Sequence, residues 1–307
     1  METQRPGQRE RRLKIDLIPA LKKLEVITKQ NIASAGLVGQ YSSVFKGRGL
    51  EFEDYRPYST LDDASMIDWK ASKRSGQILV KEYVEERNVN VAFVFDVSES
   101  MIFGSLDKLK NEYSIEFIAS LTHAILEVGD SAGLVMFNDK IVKFIPCSRN
   151  RAQFYDMART LSNPYLYGGR ISFFNVSKFL LTALNRDTVV IIVSDFIGFE
   201  KNWVERLKLL CSKFDVVGVM IRDPLDRTMP VDYQGTVLIK DPYSHKQMVI
   251  DPSLLKEAYE YEARKQEEEI EESFISAGAD FTVLSTDQPF VKPVIKLFRA
   301  RAGKFKK

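Results

Sequence analysis

Between residues 89 and 301 the chain repeatedly alternates short apolar runs of strand length with amphipathic runs of helix length. That alternation admits little besides a mostly parallel sheet with helices on both faces. The spacing predicts a strand at 89–95, a helix at about 106–128, strands at 132–137 and 141–145, and helices at 151–161 and 173–185. It continues with strand 188–194, helix 201–213, strand 215–221, helix 253–277, strand 280–284 and helix 288–301. Asn138-Asp139-Lys140 is a hairpin-type turn, so one antiparallel edge strand is expected. The fold class is therefore α/β, a doubly wound sheet.

Two of these strands end on carboxylates. The first reads V-N-V-A-F-V-F and runs into Asp96-Val-Ser98-Glu-Ser100. The second, T-V-V-I-I-V-S, ends at Asp195. Strands of nearly pure Val, Ile and Phe are those covered on both faces. A loop at the carboxyl end of such a strand is where open α/β sheets hold ligands. One carboxylate and two hydroxyls from a tight loop form an oxygen-only donor set, which suits Mg²⁺ rather than zinc. With Asp195 on a neighbouring strand, both carboxylates face one crevice. The competing reading is that Ser194 and Asp195 cap the following helix.

Composition narrows the function classes. Net charge is only +2, with basic clusters at Arg9–Lys14 and Arg299–Lys307, so no dedicated nucleic-acid binder is expected and the tails read as solvated. Two cysteines, Cys147 and Cys211, give neither a disulfide framework nor metal-binding spacing. The polar N-terminus lacks the apolar core of a secretory signal. No apolar run approaches the ~20 residues needed to span a bilayer. A soluble, cytoplasmic protein is expected. Only two histidines occur, His123 and His245, and neither suggests a hydrolase triad. No Gly-x-x-x-x-Gly-Lys-Ser/Thr loop is present, so any ATP hydrolysis would come from another protein.

Residues 1–35 read as a basic tail, disordered to about residue 12, followed by an amphipathic helix over 13–32. Residues 36–88 read as a β-rich pre-domain and 89–302 as the α/β domain. Between Asp223 and Pro252 the alternation stops, and a β-hairpin is expected as an insertion at 223–252, free to pair with the hairpins before residue 88.

The pre-domain carries Gly47-Arg48-Gly49-x-Glu51-Phe52-x-Asp54-x-Arg56-x-Tyr58, then Asp62-Asp63, Ile67-Asp68-Trp69 and Ser72-x-Arg74. With Asp-Val-Ser-Glu-Ser-Met at 96–101, Ser194-Asp195-Phe196 and Arg222-Asp223-Pro224, this resembles domain-of-unknown-function family fifty-eight. Members of that bacterial and archaeal family carry a von Willebrand factor A-like domain. The resemblance implies a metal-ion-dependent adhesion site and a cytoplasmic partner of MoxR-type AAA+ ATPases, acting in assembly, maturation or chaperone-like work. Its signature residues Glu51, Asp54, Arg56, Asp63, Asp68 and Trp69 become interaction candidates, although salt bridges explain their charges more economically.

The chain departs from the pattern in the middle metal loop. A threonine usually follows the paired glycines, but here the sequence is Gly168-Gly169-Arg170-Ile171-Ser172. Either Ser172 supplies the hydroxyl, or Arg170 neutralises Asp96 and Asp195 and the site is metal-free. The reading adopted is a non-enzymatic interaction module. Mg²⁺ or Mn²⁺ is held by Asp96, Ser98, Ser100, Ser172 and Asp195, and a client carboxylate completes the coordination. A metal-dependent hydrolase and a metal-free binding scaffold are the alternatives.

Overall fold

Ten strands and seven α-helices account for most of the residues described by the computed structural model, which are 28, 41, 52–59, 62–83, 89–229, 235–241 and 243–304. The tail at 1–12, nearly all of the helix expected at 13–32, and Glu51 lie outside them.

The central sheet is built from β3 (Asn90–Asp96), β4 (Ser131–Phe137), β5 (Ile141–Ser148), β6 (Thr188–Ser194), β7 (Asp215–Arg222) and β10 (Asp280–Ser285). Their spatial order is β10-β7-β6-β3-β4-β5. All neighbours are parallel except β5, which returns antiparallel on β4 as the turn at Asn138 requires. The chain winds outward from β3 to β4 and β5, then crosses back to place β6 on the other side of β3. The crevice between the ends of β3 and β6 is thus the point where the winding reverses, the usual ligand position in such sheets.

Alternate residues of β3 serve two separate cores, which is why the strand has no polar face. Val91, Phe93 and Phe95 pack with Ile115, Ile118, Phe154, Val294 and Phe298. These come from α2 (Lys110–Glu127), α3 (Ala152–Leu161) and α7 (Val291–Lys304). Ala92 and Val94 pack with Phe173, Leu180, Leu207, Leu210 and Phe274. These belong to α4 (Phe173–Ala183), α5 (Trp203–Cys211) and α6 (Pro252–Ser276). Gly218 on β7 lets α6 close down, since a Cβ there would sit 2.6 Å from the Phe274 ring.

Three expectations need correction. The pre-domain pairs β1 (Phe52–Pro57) with β2 (Leu79–Tyr83), but it also contains a helix, α1 (Trp69–Ser75). Asp68 caps that helix by accepting from Lys70 N and Ala71 N, and Gly76, in the left-handed region, ends it. The inserted hairpin, β8 (Val237–Lys240) with β9 (Gln247–Ile250), forms its own sheet, and no ladder joins it to β1–β2 among the described residues. Arg301, read as part of a solvated tail, is buried and ion-paired with Asp280 at 2.7 Å and with Asp215.

Candidate functional site

β3 and β6 deliver their terminal residues side by side. Asp96 ends β3, and the loop after it turns at once, with Asp96 Oδ1 accepting from Ser98 N at 2.9 Å. Ser194, the last residue of β6, donates to Asp96 Oδ2 at 2.6 Å. Ser100 donates to Asp195 Oδ1 at 3.1 Å, and Ile197 N donates to the same oxygen at 2.9 Å. Ser98 Oγ and Ser100 Oγ lie 3.3 Å apart. Asp96, Ser98, Ser100, Ser194 and Asp195 are all buried. The backbone of the paired glycines laces onto this loop, with Gly168 N donating to Val97 O at 2.7 Å and Glu99 N to Gly169 O at 2.9 Å. Asp195 does not cap the next helix, because α5 starts at Trp203 behind Asn202.

The two carboxylates have different partners. Asp195 Oδ2 accepts from Lys110 Nζ at 2.8 Å, and the same ammonium lies 3.0 Å from Asp226 Oδ2. Desolvation pulls the Lys110 ammonium down, but the Asp195 and Asp226 charges outweigh it, so its pKa is raised. Among the described residues Asp96 has only hydroxyl and N–H donors and no cation. Burial first, and the Asp195 charge second, push its carboxyl up to about 7, against the hydrogen bonds from Ser194 and Ser98.

The inserted hairpin reaches this crevice. Its turn places the Tyr243 hydroxyl 2.9 Å from Ser100 Oγ, 3.1 Å from Ser98 Oγ and 3.1 Å from the Ile197 carbonyl, which accepts from it. Asp241 holds the turn by accepting from Tyr243 N at 3.0 Å and from Ser244 N. Gly198 seats the ring: it has φ +83°, and a Cβ there would meet Tyr243 Cε2 at 2.8 Å. Burial raises the phenol's pKa, so the group in the crevice is a neutral hydroxyl.

The residues expected around the glycines go elsewhere. Arg170 is exposed and makes no ion pair with Asp96 or Asp195, so it is not the metal substitute; the cation on Asp195 is Lys110. Arg170 instead lines a shallow cleft with Tyr243 and Asp241. Ser172 is the N-cap of α4, its hydroxyl accepting from Asn175 N, and it makes no hydrogen bond to the crevice. Sequence reading misses Lys110, Asp226 and Tyr243. It names Ser194 beside Asp195 on a strand end without placing it among the ligands.

The signature residues hold the pre-domain together. Arg56 forks onto Asp62 with both contacts at 2.5 Å and holds that carboxyl down at about 2. Tyr55 donates to Asp68 Oδ2 at 3.0 Å, and Asp63 caps the turn that follows it. Asp54 lies in β1, and Trp69 is 67% exposed with no role in that framework. The histidines stay apart from the serines: His123 packs edge-on against Phe154, and His245 sits in the hairpin turn. Burial pushes the Cys147 thiol up to about 11, which disfavours a reactive thiolate.

A family model described as "Protein of unknown function DUF58" matches residues 54–269, well over half of the chain. An uncharacterized protein of Mycobacterium tuberculosis is 25% identical over 292 residues, covering 93% of this chain and 90% of that protein. Among solved structures, the SpRpn10 VWA domain aligns with 68% of this chain and 94% of its own, at 13% identity and TM-score 0.40. An aerotolerance-related membrane protein from Bacteroides fragilis aligns with 71% of this chain and all of its own, at 14% identity and TM-score 0.44. That protein is described as a membrane protein, and the cytoplasmic location expected from the sequence is withdrawn on this finding. Among the described residues no helix is long and apolar enough to cross a membrane. The chain belongs to the DUF58 family, and its central domain is the α/β fold with a mostly parallel sheet expected from the sequence.

Proposed function

We propose that this chain is a protein-interaction module whose crevice takes Mg²⁺ or Mn²⁺ and, through it, a carboxylate of a protein partner. Asp96, Ser98 and Ser100 are the direct ligands in this reading, with Asp195 contributing directly or through water. One observation carries it: Asp96 is a fully buried carboxylate with no cationic partner among the described residues, set among hydroxyls and a second carboxylate. Such a group is costly to keep ionised unless a cation joins it. The donors are all oxygen, as a hard divalent ion requires. When bound, the ion would offer an open coordination position to the partner's carboxylate. The partner we propose is a MoxR-type AAA+ ATPase, following the family resemblance, with nucleotide hydrolysis supplied by that protein.

Calorimetric titration of Mn²⁺ into the wild type and Asp96→Ala tests the site. Heat is expected from the wild type alone, and equal heats from both proteins would remove the cation. Pull-down of the ATPase should likewise need Asp96 and be lost in chelator. Capture that ignores both would leave the module without its metal.

A second reading is favoured by Lys110 and Tyr243, which already fill the crevice with an ammonium and a hydroxyl. In it the crevice is a metal-free binding face. The two readings diverge on Tyr243→Ala. If the phenol covers a cation site, deleting its three contacts to Ser98, Ser100 and Ile197 should raise Mn²⁺ affinity by on the order of a hundredfold, given about 1 kcal/mol net per hydrogen bond. On the metal-free reading, titration of Tyr243→Ala gives no heat.

A further inference from the structure

A separate cleft of about 480 Å³ adjoins the crevice, lined by Ile197, Arg222, Asp226, Tyr259, Lys265 and Gln266. Arg222 ends β7 and is only 2% exposed. Its Nη2 donates to the neutral Gln266 Oε1 at 3.0 Å, and among the described residues no carboxylate is ion-paired with it. Among the described residues its other guanidinium nitrogens have no hydrogen-bond acceptor, and the side chain lines the cleft.

Three of the nearby acids are committed elsewhere, and Glu262 and Glu269, which line the cleft, are not ion-paired with Arg222 among the described residues. Asp223 accepts from Ser105 N, Ser105 Oγ, Leu225 N and Thr286 Oγ1. Asp226 serves Lys110 and the Asp223 N–H, and Glu267 accepts the fork of Arg227. A guanidinium held this deep without an anion is unfavourable for the fold alone. A binding group, kept at the expense of stability, fits the arrangement.

We propose that this cleft binds a carboxylate of an acidic segment in a protein partner, with Arg222 as its bidentate donor. Arginine's planar fork matches a carboxylate or a phosphate. The surroundings select the singly charged group, because Asp226, Glu262 and Glu269 line the same cleft and repel a doubly charged phosphate. Ile197 joins the two sites: its N–H donates to Asp195, and its side of the loop lines the cleft. An acidic segment could therefore place one carboxylate at the crevice and a second on Arg222. The inference rests on the reading of the chain as a protein-interaction module, but not on the cation.

The test is run in chelator, with N-acetyl-glutamate amide and inorganic phosphate as separate probes. The Arg222 Nε–Hε resonance, assigned by its absence from Arg222→Met, should shift and saturate with the glutamate derivative and stay in place with phosphate. Affinity in Arg222→Met should fall by about tenfold or more, as expected for losing a bidentate charged contact. That variant should melt no lower than the wild type, since no internal ion pair is lost. A resonance that ignores the carboxylate, or follows phosphate more tightly, overturns the proposal. So does a variant that melts far lower with carboxylate binding intact, because Arg222 is then structural. If Arg222→Met does not fold, the Nε–Hε resonance is assigned through Arg222→Lys and its titration decides alone. A wild type that gives no heat with Mn²⁺ yet titrates at Arg222 removes the cation and keeps the cleft, and the reverse result does the opposite.

Discussion

Replacing Lys110 with methionine should lower folding stability in chelator by on the order of 3–5 kcal/mol, the usual cost of removing one partner from a buried ion pair. Lys110 is 1% exposed, and its ammonium lies 2.8 Å from Asp195 and 3.0 Å from Asp226. Methionine preserves the length and apolar stem but leaves both carboxylates without a counter-charge. Nothing local favours a lysine there. It is the first residue of α2, the end where the helix dipole disfavours a cation. Its raised pKa places the titration above the ordinary lysine range, so its contribution is full at neutral pH and is lost only as pH climbs through the folded-state value. The deficit should therefore be flat between pH 6 and 9. Mg²⁺ should restore a large part of it by supplying the missing charge beside Asp195. Denaturant melts of the single variant and of Lys110→Met with Asp195→Asn separate charge from packing: the double variant should recover stability if charge is the cause. A deficit unchanged by that second substitution would assign Lys110 a packing role only.

The parts of this architecture that the sequence announces are those fixed by burial. β3, β4, β6 and β7 are covered on both faces, so each is an apolar run that could be read without knowing its neighbours. Element ends were less legible where a distant side chain sets them. α2 begins at Lys110 rather than near residue 106, because Ser105 is tied through its N–H and hydroxyl to Asp223, which holds the preceding loop out of the helix. The same division runs through the site. Asp96, Ser98, Ser100 and Asp195 could be named because they end an apolar strand or directly follow one. Lys110 resembles any other lysine on a helix, and only the packing of α2 across the sheet brings it to Asp195, 85 residues away. Tyr243 lies 145 residues from Ser98 in a turn whose flanking Asp and Pro signal a hairpin but not where it lands. The direction of Arg170 stays open in the sequence, because adjacency to the glycines says nothing about which way a long side chain points.

The largest pH effect should come from Asp96. Its carboxyl is raised to about 7 from the ordinary value of 3.8, by burial and by the Asp195 charge. This is the reverse of a salt-bridged carboxylate. Between the unfolded and folded values the folded state holds the proton and the unfolded chain does not. Asp96 therefore favours the unfolded state progressively as pH rises from about 4 to about 7, and its effect levels off above that. At about 1.4 kcal/mol per unit, the full change is on the order of a few kcal/mol. Asp96→Asn keeps the neutral shape, with an oxygen to accept from Ser98 N and an amide to face Ser194 Oγ. In chelator the variant's stability, measured relative to the wild type, should rise steadily from pH 5 to 7.5. A divalent cation needs the ionised form, so binding below pH 7 must displace the Asp96 proton. Mn²⁺ affinity should then gain about tenfold per pH unit below 7 and plateau above it. Calorimetry in two buffers of different ionisation enthalpy counts the proton directly: close to one released at pH 5.5 and close to none at pH 8.5. A constant stability gap between the two proteins across the range, with no proton released at either pH, would mean that Asp96 is already ionised in the closed crevice and that Lys110 alone balances both carboxylates.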